Sequence, residues 1–250
     1  MKTQIDVSCF ERDAVLYHEL GQRLLSHLAP MKIAPRHILH LDCASGALSR
    51  QLAQQFKRAY FEGFDQNVAM IQQANKHKPW LSRQRYTTYN ALDSLQSKKP
   101  YDLILIHLLA FEDHSPAKWF QVVKTMMAPD GVILFSYVGP GSALSPSSEL
   151  WDMHDVGDAL VQAGFVSPVM ESEKLTVSLD PEWPLQAQLQ VNRLTALLSL
   201  EPSALNVANN VLHLEIIYGH AFLGQLRQHK AGISAEVAVI RPDQIGRRDA

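Results

Sequence analysis

The 250-residue sequence predicts an α/β fold, a mostly parallel sheet covered by helices. Three observations carry that prediction. Apolar runs alternate along the chain with stretches in which apolar residues recur at helical spacing, the order that builds strand–helix–strand units. The clearest run, Tyr101 to Leu109, is long and rich in Leu and Ile, as a buried strand requires. Turn and cap signals such as Ser115-Pro116, Pro129-Asp130-Gly131 and Gly164 punctuate the pattern at element boundaries.

Taken in order, Ala14, Leu20, Leu24, Leu25 and Leu28 recur at helical spacing and predict a helix from Asp13 to Leu28, ended by Pro30 and Pro35. His37 to Leu41 reads as a strand, followed by a tight turn at Ser45-Gly46 and a helix whose shared face is Leu48, Leu52, Ala53 and Phe56. Tyr60 to Phe64 is a second strand ending at Asp65, and Val68, Met70, Ile71 and Ala74 mark the next helix. Arg85 to Tyr89 is a weaker third strand, and Tyr101 to Leu109 the fourth. Ser115 as N-cap with Pro116 at the first helical position starts a helix reaching Met127, and Pro129-Asp130-Gly131 turns the chain into a fifth strand, Val132 to Val138. Gly139 to Ser148 reads as a loop, and Asp152 to Ala163 as a helix that Gly164 caps in the left-handed conformation. Lys174 to Leu179 and Leu212 to Tyr218 are two further strands, separated by an apolar helical insertion from Pro184 to Leu198. Residues 1–250 form one expected domain, with 184–210 as a cap insertion and 223–250 as a mildly basic peripheral segment.

Composition narrows the function classes. The chain is 46% hydrophobic and 19% charged, ordinary for a soluble globule. Its longest apolar runs fall short of the roughly 20 residues that a membrane-spanning helix needs. The N-terminus has no apolar stretch ending in small residues, so a cytoplasmic location is expected. Cys9 and Cys43 are too few for a disulfide framework or a four-ligand zinc site, and packing is their expected role. A net charge of -2 argues against a surface devoted to nucleic acid or anionic membrane.

In an open parallel sheet, ligands bind beyond the carboxyl ends of the strands, beside the first strand-to-helix turn. That turn is Leu41-Asp42-Cys43-Ala44-Ser45-Gly46, where Gly46 serves either close ligand approach or close helix–strand packing. Asp65, at the end of the second strand, reads in two ways. It is placed to accept hydrogen bonds from both hydroxyls of a ribose, and equally to cap the helix beginning near Asn67.

The strand order, five strands alternating with helices and then a helix and two strands split by an insertion, resembles the class I S-adenosylmethionine-dependent methyltransferases. The segments Asp152-Met153-His154-Asp155-Val156-Gly157-Asp158-Ala159-Leu160, Ala163-Gly164-Phe165, Pro168-Val169-Met170 and Ile217-Tyr218-Gly219-His220-Ala221 sharpen the likeness. With Phe10 to Tyr17 they resemble the malonyl-acyl-carrier-protein O-methyltransferases of the biotin pathway. The resemblance implies a Rossmann-like seven-stranded sheet with a terminal antiparallel hairpin, a helical insertion before the last strand, and S-adenosylmethionine as cofactor.

Carried over by position, the resemblance gives a mixed set. The family's acidic residue and glycine-rich turn correspond to His40, Asp42, Ala44 and Gly46, of which only Gly46 keeps the family's residue. Asp65 matches the ribose acid, Met70 an apolar residue packing on adenine, and Asn90 an aspartate that reads the adenine amino group. The competing reading of Met70 is a core methionine, and that of Asn90 a turn residue. His107 falls beside the methyl-transfer position, with a hydrogen-bonded core histidine as its competing role. Tyr17 is implied as a group shaping the acceptor site, with ordinary helix packing as the alternative. His154 and His220 read as structural. The arginine that the family carries before its Asp-Met-His-Asp motif is missing; Arg193 is the substitute available in the insertion, against a default reading as a solvent-exposed side chain.

A malonyl carboxylate is ionised near neutral pH, since ordinary carboxylic acids have pKa values of about 4, so its methylation needs alignment and desolvation rather than a general base. Two functions are therefore expected to compete. One is an enzyme that esterifies a malonyl thioester carried on acyl carrier protein or coenzyme A, with no nucleic-acid or membrane partner. The other is a methyltransferase-like binding or regulatory protein whose cofactor binding is lost or weakened.

Overall fold

The computed structural model describes residues 7, 9–91, 100–111, 115–144 and 150–224. Its sheet runs β3 (Gln84–Thr88), β2 (Tyr60–Asp65), β1 (His37–Leu41), β4 (Tyr101–Leu109), β5 (Met127–Val138), β8 (Val211–Leu223) and β6 (Phe165–Ser178), with the two-residue β7 (Val207–Ala208) paired to β8 off that path. The expected fold is present: seven strands in one path, parallel from β3 to β5 and antiparallel where β8 pairs with β5 and β6.

The first strands lie where the apolar runs place them: β1 at His37–Leu41, β2 at Tyr60–Asp65 and β4 at Tyr101–Leu109, with β3 at Gln84–Thr88. Between them lie α3 (Ala47–Gln55) and α4 (Val68–His77). Side chains alternate across β4. Leu103 and Leu105 join one core with α2 (Val15–Ser26), whereas Ile104 and Ile106 join a second with α5 (Pro116–Lys124) and α6 (Met153–Ala163). Both faces of the sheet are thus buried, which is why its central strands read as continuous apolar runs.

The caps follow the sequence. Ser115 accepts the Lys118 N–H at the start of α5, Asp152 accepts the His154 N–H at the start of α6, and Gly164 closes α6 at φ +90°. Three boundaries move. The long first helix divides into α1 (Phe10–Asp13) and α2, because Ala14 leaves helical geometry at ψ 51°. Helix α5 stops at Lys124, and β5 already begins at Met127, running to Val138. Pro129-Asp130-Gly131 therefore lies inside β5, where the pairing with β4 shifts between Tyr101 and Leu103 and Asp130 takes φ +62°. Strands β6 (Phe165–Ser178) and β8 (Val211–Leu223) are also longer than their apolar cores, since an antiparallel pair extends through half-exposed residues.

The insertion forms α7 (Leu185–Val191) and α8 (Thr195–Leu198). Leu189, Leu194 and Leu197 are buried in the same core as Phe10, Tyr17 and Leu20, so the cap and the N-terminal helices form one layer over that face. The peripheral segment expected at 223–250 lies outside the described residues beyond Gly224, as does the part of the 139–148 loop from 145 onward. No helix among the described residues is long and apolar enough to cross a membrane.

Candidate functional site

At the carboxyl end of β1 the chain makes a compact turn. Cys43 N–H donates to Phe64 O at 3.0 Å, and Gly46 N–H to Cys43 O at 2.9 Å. Asp42 and Ala44 stand where the resembled family has glycine, and both keep the left-handed backbone such a glycine would adopt, at φ 51° and 49°. Gly46 shares that conformation at φ 74°, and an added Cβ there would meet the Tyr86 ring at 2.8 Å. Holding these two non-glycine residues in the left-handed region costs a strain of roughly 1 kcal/mol for each.

Asp65 projects from the end of β2 into this turn. Its Oδ2 accepts the Ala44 N–H at 2.8 Å and its Oδ1 the Asn67 N–H at 2.9 Å. The cap of α4 is Asn67, whose side chain accepts from the Ala69 and Met70 amides, so of the two readings of Asp65 the capping one falls away. The third partner of Asp65 comes from the cap: Arg193 Nη1 lies 3.1 Å from Oδ2. Arg193 is not the solvent-exposed side chain of the default reading, since only 19% of it is exposed, against 2% for the Asp65 side chain. Burial opposes its charge, but Asp65, with Tyr17 and Asp42, more than compensates, and the guanidinium pKa rises. Arg193 itself takes φ 54°, at the turn that ends α7.

Around this pair the fold gathers Tyr17, His40, Asp42 and His107. The Tyr17 ring lies 4.5 Å from that of His107, and burial pushes its hydroxyl pKa up. His107 Nε2 is 2.8 Å from the Tyr17 carbonyl and Nδ1 2.9 Å from Ser136 Oγ. A carbonyl can only accept, so Nε2 carries the proton and Nδ1 takes the Ser136 hydroxyl. Both ring nitrogens are used, and burial lowers the pKa to about 3. Of the two roles expected of His107, these contacts are those of the hydrogen-bonded core histidine. The neutral ring holds the Tyr17 backbone and has no lone pair left for a reacting group.

His40 is likewise buried and neutral, its pKa lowered to about 3 by burial and then by His107 and Arg193. Its Nδ1 meets Ser49 Oγ at 2.8 Å. His40 Nε2 and the Tyr17 hydroxyl are buried without a hydrogen-bond partner among the described residues. Asp42 Oδ1 accepts the Tyr89 hydroxyl at 2.7 Å, which keeps a carboxylate in the turn where His40 supplies none.

Two further expected cofactor residues differ in burial. Met70 is fully buried in the core on α4, and Asn90 is exposed just beyond β3. His154 pairs with Asp152 at 2.6 Å and fixes a helix start. Asn192 was not legible in the sequence. Its Oδ1 accepts the Leu16 and Tyr17 amides at 3.0 and 3.2 Å, capping α2 from the insertion. Glu11 was missed as well: it accepts from Ser45 Oγ at 2.8 Å and pairs with Arg50, tying α1 to the turn. Ser136, a small hydroxyl inside an apolar strand, is a signal of this kind that the sequence carries.

A methyltransferase-domain family model matches residues 13–175. The chain belongs to the methyltransferase-domain family. Among similar proteins is the malonyl-[acyl-carrier protein] O-methyltransferase of Legionella pneumophila, 26% identical over 93% of this chain and 92% of that protein. The enzyme of the same name from Halorhodospira halophila is 28% identical over 68% of this chain and 61% of its own length. The fold is shared with phosphoethanolamine N-methyltransferase 2 of Haemonchus contortus, solved in complex with S-adenosyl-L-methionine, at a TM-score of 0.61 and 16% identity over 90% of this chain. The methyltransferase chain spans 59% of that protein and 53% of the same enzyme solved with phosphomonomethylethanolamine and S-adenosylhomocysteine. The YcgJ protein of Bacillus subtilis, at a TM-score of 0.59 and 13% identity, is spanned over 99% of its length. The α/β methyltransferase fold expected from strand order is therefore the fold of this chain.

Proposed function

We propose that this methyltransferase-family chain uses S-adenosylmethionine to esterify the free carboxylate of a malonyl thioester. The observation that carries the reading is Asp65: a buried carboxylate at the end of β2, oriented by the Ala44 and Asn67 amides, beside a turn that keeps glycine-type backbone at residues 42, 44 and 46. The names of the relatives from Legionella and Halorhodospira support the malonyl substrate.

The residues present fit the cofactor once Arg193 leaves Asp65. Asp65 would hold the ribose hydroxyls, the backbone of 42–46 would lie against the ligand, and the Asp42 carboxylate would face the amino group in place of the family's first acid. When bound, S-adenosylmethionine supplies a methyl group on a positively charged sulfur. The chain's own contribution is then positional. Tyr17, fixed by His107 and Asn192, walls the acceptor side; its unpartnered hydroxyl is a donor for an acceptor oxygen. Arg193 is the cation that a carboxylate substrate requires. No residue needs to remove a proton, because the acceptor is already a carboxylate at neutral pH. The cap excludes water and strengthens each of these interactions.

The Arg193–Asp65 pair favours a second reading, a methyltransferase-like protein whose cofactor binding is weakened. Transfer of labelled methyl from S-adenosylmethionine to malonyl-acyl carrier protein or malonyl coenzyme A separates the two. Label in a base-labile ester supports the enzyme and identifies the carrier. Absence of transfer to either, with the chain folded, contradicts it.

A further inference from the structure

The Arg193 guanidinium stands on the one carboxylate that the proposed cofactor must reach. A carboxylate oxygen offers about two acceptor positions. On Asp65 Oδ2 these are taken by the Ala44 amide at 2.8 Å and by Arg193 at 3.1 Å. Ribose hydroxyls therefore cannot engage Oδ2 until the guanidinium withdraws. A withdrawn guanidinium in a largely buried site needs another anion, because an unpaired buried charge costs far more than a paired one. Asp42, the other carboxylate acting on Arg193, already accepts the Tyr89 hydroxyl at 2.7 Å.

The backbone beneath Arg193 is fixed while its side chain has an outlet. Asn192 clamps two amides of α2, Leu194 is buried in the core, and the Arg193 N–H donates to Gln190 O at 3.1 Å. The Arg193 side chain is nevertheless 19% exposed, so part of it meets solvent while its backbone is held. Beside it stands the Tyr17 hydroxyl, buried and without a hydrogen-bond partner among the described residues.

We propose that Arg193 serves two carboxylates in turn: Asp65 when no ribose is bound, and the carboxylate of the methyl acceptor once ribose hydroxyls have taken Asp65. The inference rests on the function proposed above and adds an order to it. Cofactor binding releases the cation that recognises the acceptor, so acceptor affinity depends on prior occupancy of the cofactor site. The exchange also keeps the guanidinium from drawing carboxylates into a site that has no methyl to give.

The test is calorimetric, with malonyl pantetheine, the portion shared by both carriers, as acceptor probe. Its affinity is measured with and without saturating S-adenosylhomocysteine. The expected result is a gain of about tenfold or more when the cofactor product is present, with the same factor appearing in reverse because coupling is reciprocal. Arg193→Gln is expected to bind S-adenosylhomocysteine about tenfold more tightly than wild type and to lose the cofactor-dependent gain in acceptor affinity. That opposite movement of two affinities is not what a general loosening of the fold produces. The wild-type coupling is informative even if the variant folds poorly. Equal acceptor affinity with and without S-adenosylhomocysteine overturns the exchange and leaves the proposed function standing. Failure of S-adenosylhomocysteine to bind wild type and a folded Arg193→Gln alike overturns the proposed function and the exchange with it.

Discussion

Arg193, in the turn that ends α7, places its guanidinium 3.1 Å from Asp65 at the end of β2, and so ties the cap to the ligand end of the sheet. With Asp65 only 2% exposed, the pair is close to the buried limit in which removing one partner is far costlier than removing both. Asp65→Asn is expected to destabilise the chain by about 2–4 kcal/mol, discounted from the fully buried case because Arg193 is partly exposed. In the double variant with Arg193→Gln, about half of that loss returns. Denaturant melts of the four proteins measure the coupling; additive losses would show that the two residues do not interact.

The backbone of the cofactor turn supplies a second expectation. Ala44 sits at φ 49° and its amide is committed to Asp65, so Ala44→Gly removes strain without removing a hydrogen bond. Strain relief of about 1–2 kcal/mol is partly offset by the buried Ala44 methyl that is lost and by the greater freedom of glycine in the unfolded chain, so a gain of at most about 1 kcal/mol is expected, a rise of up to about 2–4 °C in Tm for a chain of this size. A lower Tm would mean that the left-handed geometry is not strained here.

His107 and His40 predict how stability responds to acid. Burial lowers both pKa values to about 3. An unfolded histidine titrates near about 6.5. Between those values the unfolded chain binds protons that the folded chain refuses, so each contribution is intact above about pH 6.5 and is lost as pH falls toward 3. At pH 5 each ring costs about 2 kcal/mol relative to neutral pH. His107→Gln keeps an N–H for the Tyr17 carbonyl and is expected to shrink the stability loss between pH 7 and pH 5 by that amount. An unchanged pH dependence in thermal melts would contradict the neutral assignment.

Asn192 caps α2 from a distant part of the sequence. Replacing it by Ala leaves two helix amides without their acceptor and is expected to cost about 1 kcal/mol, read as a shifted denaturant midpoint with the same slope. A wild-type midpoint would show that water replaces the cap.

Much of this fold was legible because its signals are local. Leu103 to Ile106 are apolar on consecutive positions since both faces of β4 are covered, and Ser115-Pro116 and Gly164 are caps written in residue type. Asp65 was legible for the same reason, as an acid at a strand end. The burial of Arg193 and the cap made by Asn192 were not legible because their partners, Asp65 and the amides of 16 and 17, are brought to them by the packing of the insertion rather than by spacing. The choice between the two roles of His107 was left open for a related reason. The Ser136 hydroxyl and the Tyr17 carbonyl that consume its nitrogens belong to a neighbouring strand and a distant helix.

The measurement that bears most directly on the account is calorimetric titration of S-adenosylhomocysteine into the wild-type chain and into Asp65→Ala, each checked for a cooperative melt. Saturable binding to wild type that Asp65→Ala abolishes is the predicted result. Equal affinity for the two proteins, or no heat at millimolar ligand from wild type and a folded Arg193→Gln alike, would contradict the assignment of Asp65 as the ribose acid and the methyl-transfer function built on it.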